Sequence, residues 1–222
     1  MAVPRIVVVG AGGFARELKW MIEEINVPRV CFEFLGYVVS DLGRLGEHDS
    51  HDDVLGDFDW LEQHDGQVDA LAIGIGTPGA RLKVASELSA QFPALEWPSL
   101  VHPTVRIDRS SVRIGKGVLV CAGTIGTVNV HLEDYCMVNL ACTLGHECSI
   151  GSGTVLNPTV NISGGVHLDS GVLIGTGAQV LQYLTVGTGA TVGAGSVVTK
   201  DVEPGVTVVG APARPLQRNR SD

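Results

Sequence analysis

The chain has 222 residues, 45% of them hydrophobic, so it is long enough to bury one large core or two modest ones. Its net charge of −9, with no basic stripe along the sequence, argues against a nucleic-acid-binding face. No apolar run approaches the ~18 residues of a membrane span, and the N-terminus does not resemble a signal peptide. We therefore expect a cytoplasmic protein without nucleic-acid or membrane partners.

The first predicted unit is a strand, a glycine turn and a helix. Arg5–Val9 is a β-branched run, and Leu18–Ile25 has apolar residues at helical spacing. Between them, Gly10, Gly12 and Ala15 fill the three positions of a G-x-G-x-x-G/A pattern. Such glycines let the backbone approach a phosphate at a helix N-terminus. The turn favours a mononucleotide or nucleotide-sugar site, with a turn that binds nothing and an NAD site as the alternatives.

Two further strands and a helix continue this alternation. Val30–Val39 is predicted to be a strand that ends at Ser40–Asp41, where an acidic side chain can accept from a ribose or a nucleobase. Ala70–Ile75 is predicted to be a third strand, and Arg81–Leu88 a helix. Alternating strands and helices predict a small, doubly wound parallel α/β domain over residues 1–97.

The second half of the chain repeats every six residues. An aliphatic residue returns at each sixth position from Ile114 to Val198, and only Gly126 breaks the series. A fixed period of this kind marks a repeat architecture, and six residues suit a short strand plus a corner. Three hexads make one triangular coil, so residues eighteen apart lie above one another with ~4.8 Å between coils. The pattern predicts a parallel β-helix domain with a C-terminal tail over residues 98–222, the repeat itself ending at about Val202.

Three of the five cysteines follow the same period. Cys136, Cys142 and Cys148 each stand two places before the inward aliphatic residue. Their spacing fits no zinc pattern, so we interpret them as small hydrophobic residues stacked inside the β-helix. We expect no metal site, and free thiols suit a reducing cytoplasm.

His146 and Glu147 are the candidates for catalysis. They occupy the second and third places after the inward Leu144, where side chains lie at the corner or outside the prism. A carboxylate beside a histidine fixes its tautomer and suits it to act as a general base. Gly164, one coil further on, and the following Gly165 leave room for the imidazole and expose a backbone N–H to a developing oxyanion.

The other histidines of the second half lack such neighbours. We expect His102, His131 and His167 to be surface residues of the coils. An exposed coil histidine without a role is also the alternative for His146.

These residues resemble one family of proteins, the bacterial sugar acyltransferases that join a small Rossmann-like domain to a left-handed β-helix of hexapeptide repeats. Its members are nucleotide-aminosugar N-acetyltransferases, with sialic acid O-acetyltransferases as relatives. The resemblance runs from VVVGAGGFAREL at Val7–Leu18 to VVGAPARPL at Val208–Leu216. It includes VLGDFDWL at Val54–Leu61 and NLACTLGHECSIG at Asn139–Gly151. The hexad repeat indicates the fold and the acyl donor, and the glycine turn together with N…GHE…IG indicates this family.

The resemblance implies a homotrimer that binds acetyl-CoA between adjacent β-helices. It implies that His146 takes a proton from the acceptor amine, that Glu147 supports it and that Asn139 meets the sugar. Residues implied to bind the nucleotide sugar lie in the first domain: Gly12, Gly13, Phe14, Ser40, Asp41, Gly74 and Thr77. Those implied to bind acetyl-CoA lie in the second: Gly164, Thr176 and Ala194.

One position departs from the family pattern. Many members carry a second histidine nine residues after the catalytic one, near the thioester, and this chain has Val155 there. The expected reaction is attack of the 4-amino group of a UDP-, GDP-, dTDP- or CMP-linked deoxysugar on acetyl-CoA. O-acetylation of a sugar hydroxyl, as on sialic acid, is the nearest alternative. A non-catalytic nucleotide-sugar-binding protein and an NAD-dependent oxidoreductase are alternatives from other classes.

Overall fold

The N-terminal part of the computed structural model is a parallel sheet with helices packed against it. The structure describes residues 2–47, 49, 51–64 and 66–216. The strands are β1 (Arg5–Val9), β2 (Glu33–Val39), β3 (Val54–Asp57) and β4 (Ala70–Ile73), and the helices are α1 (Gly13–Asn26), α2 (Phe58–Gln63) and α3 (Pro78–Gln91). The strands are parallel, in the order β3-β2-β1-β4. The predicted alternation of strands and helices is confirmed.

The element boundaries differ from the prediction in ways that local contacts explain. Strand β2 begins three residues late because the Asn26 side chain holds the preceding loop: its Oδ1 accepts from the N–H groups of Cys31 and Phe32 at 2.8 and 3.0 Å. Helix α3 begins at Pro78, which suits a first helical turn because proline has no N–H to leave unpaired. Strand β3, at Val54–Asp57, is not among the predicted strands, since four residues with a glycine give too weak a signal.

The second half forms a three-sided parallel β-helix. Each side is a stack of short strands from successive coils, with residues eighteen apart in register. The first side, which we call the covered face, contains β5 (Leu100–Val101), β7 (Leu119–Val120), β10 (Met137–Val138), β13 (Val155–Leu156), β16 (Leu173–Ile174), β19 (Thr191–Val192), β21 (Thr207–Val209) and β22 (Arg214–Pro215). In this stack β22 alone is antiparallel to its neighbour β21.

The N-terminal sheet does not cover the two other sides. The second face contains β8 (Ile125–Gly126), β11 (Thr143–Leu144), β14 (Asn161–Ile162), β17 (Gln179–Val180) and β20 (Val197–Val198). The third face contains β6 (Arg113–Ile114), β9 (His131–Leu132), β12 (Ser149–Ile150), β15 (His167–Leu168) and β18 (Thr185–Val186). We call the turns between the covered and second faces the first corner (139–142, 157–160, 175–178 and 193–196), and those between the second and third faces the second corner (145–148, 163–166 and 181–184).

The interior of the prism confirms the six-residue period. Every position of the predicted aliphatic column from Val120 to Val198 is buried. Cys136, Cys142 and Cys148 have no exposed surface, in agreement with their interpretation as stacked interior residues. The stacked coils thus bury one continuous apolar column along the axis.

An apolar column on the outside of the covered face joins the two halves of the chain. Leu119, Met137 and Val155 point outward at eighteen-residue spacing, yet each is at most 1% exposed because it packs in one cluster with Leu18 and Ile22 of α1. Burial of such a side chain contributes ~1.5–3 kcal/mol. The corresponding outward residues of the other two faces are mostly polar, so this column determines which side carries the N-terminal sheet.

The described helices are all short. No helix within residues 2–47, 49, 51–64 and 66–216 has the length and apolar character that a bilayer span requires.

Candidate active site

His146 and Glu147 lie together at the second corner, outside the prism. The Nδ1 atom of His146 is 3.3 Å from Oε2 of Glu147, and the two side chains are 53% and 59% exposed. Glu147 has φ +61°, a left-handed conformation that the sharp corner requires and that Gly165 adopts one coil later. The corner therefore presents an imidazole with a carboxylate on one ring nitrogen and the other nitrogen open to a substrate.

The imidazole of His146 lies directly over Gly164. A methyl group added at Gly164 would be 2.4 Å from both Nε2 and Cε1 of the ring, so no larger residue fits there with the ring in place. The N–H of Gly165 donates to the His146 carbonyl at 2.8 Å, whereas the N–H of Gly164 has no acceptor within the part of the chain that the structure describes. A base and an unused backbone donor thus lie side by side.

Gly145 is a further candidate residue of this site that the sequence reasoning did not single out. A Cβ at this position would be 2.4 Å from the nitrogen of Gly164 and 2.6 Å from the carbonyl carbon of Ser163. The missing side chain therefore lets the coil at Gly145 pack closely against the backbone of Ser163 and Gly164. The sequence offers a signal for this residue, because Gly145 directly precedes His146 in the GHE triplet.

A second histidine–carboxylate pair lies on the third face. His167 is 52% exposed, and its Nε2 is 3.0 Å from Oδ1 of Asp169. Its Nδ1 is also engaged, 2.5 Å from the Ser149 hydroxyl, and the backbone N–H groups of both Ser149 and His167 donate to the next coil. With both ring nitrogens and the nearby backbone donors occupied, this pair lacks the open geometry of the His146 corner.

The prediction that His102 is a surface residue is wrong. It is only 5% exposed, and its ring packs against Trp20 of α1 with 6.0 Å between centroids. Its position in the first coil would face solvent in an isolated β-helix, but α1 covers it. His131 and His167 are exposed, as predicted.

The remaining predicted residues of the β-helix lie at the first corner. Thr176 and Ala194 are exposed and stack eighteen residues apart. Asn139 is 7% exposed, and its Oδ1 accepts from the Leu140 N–H at 2.8 Å. Gly164, by contrast, is at the second corner, so the second face separates it from Thr176 and Ala194. One chain therefore does not bring the two corners together.

The predicted nucleotide-binding residues gather at the carboxyl ends of β1, β2 and β4. The turn after β1 and the turn after β4 are in close contact: the Gly74 N–H donates to the Val9 carbonyl at 2.8 Å, and a Cβ at Gly74 would be 2.7 Å from that of Ala15. Gly10, with φ +107°, allows this close approach. Ligands of open parallel sheets bind at this edge, where the strand order reverses.

A cavity of about 190 Å³ opens at this edge, and its lining includes Gly10, Ser40 and Asp41. The Asp41 carboxylate accepts from the Gly43 N–H at 2.9 Å and is 3.1 Å from the Arg44 guanidinium. Near the cavity, Gly12 and Thr77 are the N-cap residues of α1 and α3, and neither makes a side-chain cap hydrogen bond. Gly13 and Phe14 lie in the first turn of α1. Uncapped helix N-termini favour an anionic group.

Comparison with known proteins places these features in a family. No family model and no curated protein sequence matches the chain. Among solved structures, WeeI from Acinetobacter baumannii AYE is 31% identical, with 95% of this chain and 99% of that chain covered and a TM-score of 0.79. The acetyltransferase domain of PglB from Neisseria gonorrhoeae FA1090 is 28% identical, with 96% and 99% covered and a TM-score of 0.83.

A mutant of perosamine N-acetyltransferase from Caulobacter crescentus, in complex with CoA and GDP-perosamine, is 26% identical, with 98% and 99% covered and a TM-score of 0.86. The PglB domain has also been solved with acetyl coenzyme A. Each similarity spans both the N-terminal sheet and the β-helix. The similarity to WeeI covers nearly the whole of both chains, and the two named acetyltransferases have the same architecture. The chain therefore belongs to the nucleotide-aminosugar N-acetyltransferases, a family of acetyl-CoA-dependent sugar acetyltransferases.

Proposed function

We propose that the protein transfers the acetyl group of acetyl-CoA to the 4-amino group of a nucleotide-linked deoxysugar. The observation that carries the proposal is the second corner, where the His146 ring, paired with Glu147, lies over the unused N–H of Gly164. Acyl transfer to an amine needs a base for the amine proton and a donor for the carbonyl oxygen. The similar perosamine enzyme, with its CoA and GDP-perosamine, supports a substrate of this class.

The proposed chemistry is a direct attack. The amine nitrogen bonds to the thioester carbon while Nε2 of His146 takes the amine proton, and Glu147 stabilises the imidazolium. The negative charge on the carbonyl oxygen is held by the N–H of Gly164. The C–S bond then breaks, the CoA thiolate leaves, and the proton on His146 passes to the sulfur. The products are an N-acetylated sugar and CoA.

We further propose that the site is shared between copies in a homotrimer. Gly164 and His146 of one copy would face Thr176 and Ala194 of the next, with acetyl-CoA in the cleft between them, because a single chain keeps the two corners apart. Residues 1–97 would bind the nucleotide sugar at Gly12, Gly13, Phe14, Ser40, Asp41, Gly74 and Thr77, close to Asn139. The strand order β3-β2-β1-β4 supports a Rossmann-like type for this domain. The resemblance supports left-handed winding of the β-helix, and the free thiols support a cytoplasmic location. The part of the predicted tail after residue 216 lies outside the described residues.

His167 provides a matched control for testing the base, because it also has a carboxylate within 3.0 Å and nearly the same exposure. Wild type, H146A and H167A are incubated with acetyl-CoA and UDP-, GDP-, dTDP- and CMP-linked 4-aminosugars, and products are identified by mass spectrometry. We expect H146A to lose about 10²–10⁴-fold in kcat and H167A to stay within about threefold of wild type.

Two outcomes would contradict the proposal. If kcat of H146A is within a few-fold of that of wild type, His146 is not the general base. A product that loses its acetyl group in mild base would be an ester, and would make the protein an O-acetyltransferase, for example of sialic acid, instead.

A further inference from the structure

Arg81 is a completely buried charge that the acetyl-transfer chemistry does not use. It lies on α3 and is 0% exposed. Nη1 donates to the carbonyls of Ile73 and Ile75, both at 2.9 Å, while Nε and Nη2 donate to the carbonyl of Tyr135 at 3.1 and 3.0 Å. All of these partners are neutral. Among the described residues, no carboxylate forms an ion pair with this guanidinium.

A buried cation without a counter-ion is costly. Burial lowers the pKa of Arg81 to about 10, so the guanidinium stays protonated at neutral pH. Carbonyl groups satisfy its N–H donors but do not neutralise its charge, and a buried charge costs several kcal/mol unless another charge compensates it. The other buried positions of this helix stripe are Pro78, Ala85 and Leu88. Arg81 therefore pairs the carbonyls of Ile73, Ile75 and Tyr135 at the cost of a buried charge, which a neutral donor would not incur.

The buried charge contacts a residue that lines the nucleotide cavity. Ile75, whose carbonyl accepts from Arg81, lines the cavity of about 190 Å³. Because a trans peptide directs its C=O and N–H groups oppositely, fixing this carbonyl turns the Gly76 N–H away from Arg81. That N–H has no acceptor in the described part of the chain. Arg81 thus sets the orientation of a free donor at the end of β4.

The lining of the cavity itself is unfavourable to a diphosphate. Its charged residues are Asp41, Asp49 and Arg44, two carboxylates against one guanidinium, in a chain of net charge −9. The uncapped N-termini of α1 and α3 attract an anion, but these side chains oppose it, and a further positive charge nearby would offset them. A charge buried in protein is poorly screened by solvent, so its field extends into the cavity.

We propose that Arg81 is a positioning residue for the diphosphate of the nucleotide sugar. Its guanidinium supplies the counter-charge from behind Ile75 and holds the Gly76 N–H in place for a phosphate oxygen. This inference rests on the proposed function, since it assumes a nucleotide sugar in the cavity. The same four hydrogen bonds tie β4 and α3 to the β-helix, so the test has to separate a charge effect from a loss of structure.

The test compares affinities for charged and uncharged forms of one nucleotide. Calorimetric titration of the wild type with UDP, GDP, dTDP and CDP identifies the tightest diphosphate, which is then compared with its nucleoside. In R81M we expect the diphosphate affinity to fall by about tenfold or more, and the nucleoside affinity to stay within about twofold. R5M is the matched control, because Arg5 pairs with Asp69 at the start of β1, at the opposite edge of the sheet, and should leave both affinities unchanged.

Equal losses for diphosphate and nucleoside in R81M, or no loss, would overturn the inference while leaving the proposed function intact. If none of the four diphosphates binds the wild type, the nucleotide-sugar function fails and the inference fails with it. Should R81M not fold, ¹⁵N-arginine spectra of the wild type decide. Arg81 is the fully buried arginine of the described chain, so its Nε–H signal exchanges most slowly. The proposal requires this signal to shift when the diphosphate binds and not when the nucleoside binds. A signal that does not shift when the diphosphate binds refutes the proposal.

Discussion

Gly164→Ala should disable the enzyme by displacing His146, the proposed general base, while the fold remains intact. The added methyl would be 2.4 Å from Nε2 and Cε1 of His146 and 2.9 Å from Cδ2. Carbon atoms in favourable contact are ~3.5–4.0 Å apart, so the ring has to retreat by about 1 Å or more. Gly164 is outside the left-handed φ region, so alanine adds no backbone strain. The ring is 53% exposed and can turn toward solvent.

The expected loss follows from the displacement. Misplacing a reacting group by about 1 Å costs about 10²-fold, and complete loss of a general base costs ~10²–10⁴-fold. We therefore expect kcat to fall by about 10²-fold or more, with an unchanged unfolding temperature. G79A is the control, because its methyl would have no neighbour within 4 Å.

The assay measures initial rates of N-acetyl sugar formation by mass spectrometry at saturating acetyl-CoA. Circular dichroism checks the fold of both variants. A folded G164A enzyme with kcat within about threefold of wild type, against the expected ~10²-fold loss, would show that His146 does not act from its position over Gly164. A parallel loss in G79A would point to an effect of the substitution itself.

Two other predictions concern packing. V155H should lower stability by about 1–3 kcal/mol in urea denaturation, because an imidazole without a partner would be buried against the N-terminal sheet, and an unchanged midpoint would contradict the assigned interface. In the folded protein, Ellman's reagent at pH 8 should modify the half-buried Cys31 alone, with four more thiols reacting in guanidinium chloride. Burial raises the pKa to about 12 for Cys121, Cys136 and Cys148 and to about 11 for Cys142. Fast reaction of a second native thiol would show that the prism opens or, for Cys121, that its contact with α1 opens.

The β-helix and the position of its candidate catalytic corner could be predicted from the sequence, because the six-residue period is local information. Once the aliphatic column faces inward, the register places His146 two residues later at a corner and Gly164 one coil above it. Each of these positions follows from counting along the chain. The structure accordingly places the imidazole over the glycine.

Contacts between the two halves of the chain were harder to predict. Val155 occupies an outward position of its hexad and is nevertheless fully buried, because the N-terminal sheet covers that face. His102 is buried for the same reason. A signal for the covered face does exist, in the apolar outward residues Leu119, Met137 and Val155. Arg81 is a different case, since a single arginine in a helical pattern looks like a solvent-exposed residue until the carbonyls around it are known.

The eighteen-residue register of the three faces restricts how the chain can change in length. Insertion of one hexad would keep every aliphatic residue inside but rotate all later coils by a third of a turn. If the hexad were inserted before Met137, polar strands would replace the apolar column beneath α1. His146 and Gly164 would then move to a different edge of the prism. Only gains or losses of a whole coil leave each side chain on its own side, so viable homologues should differ in this region by multiples of eighteen residues.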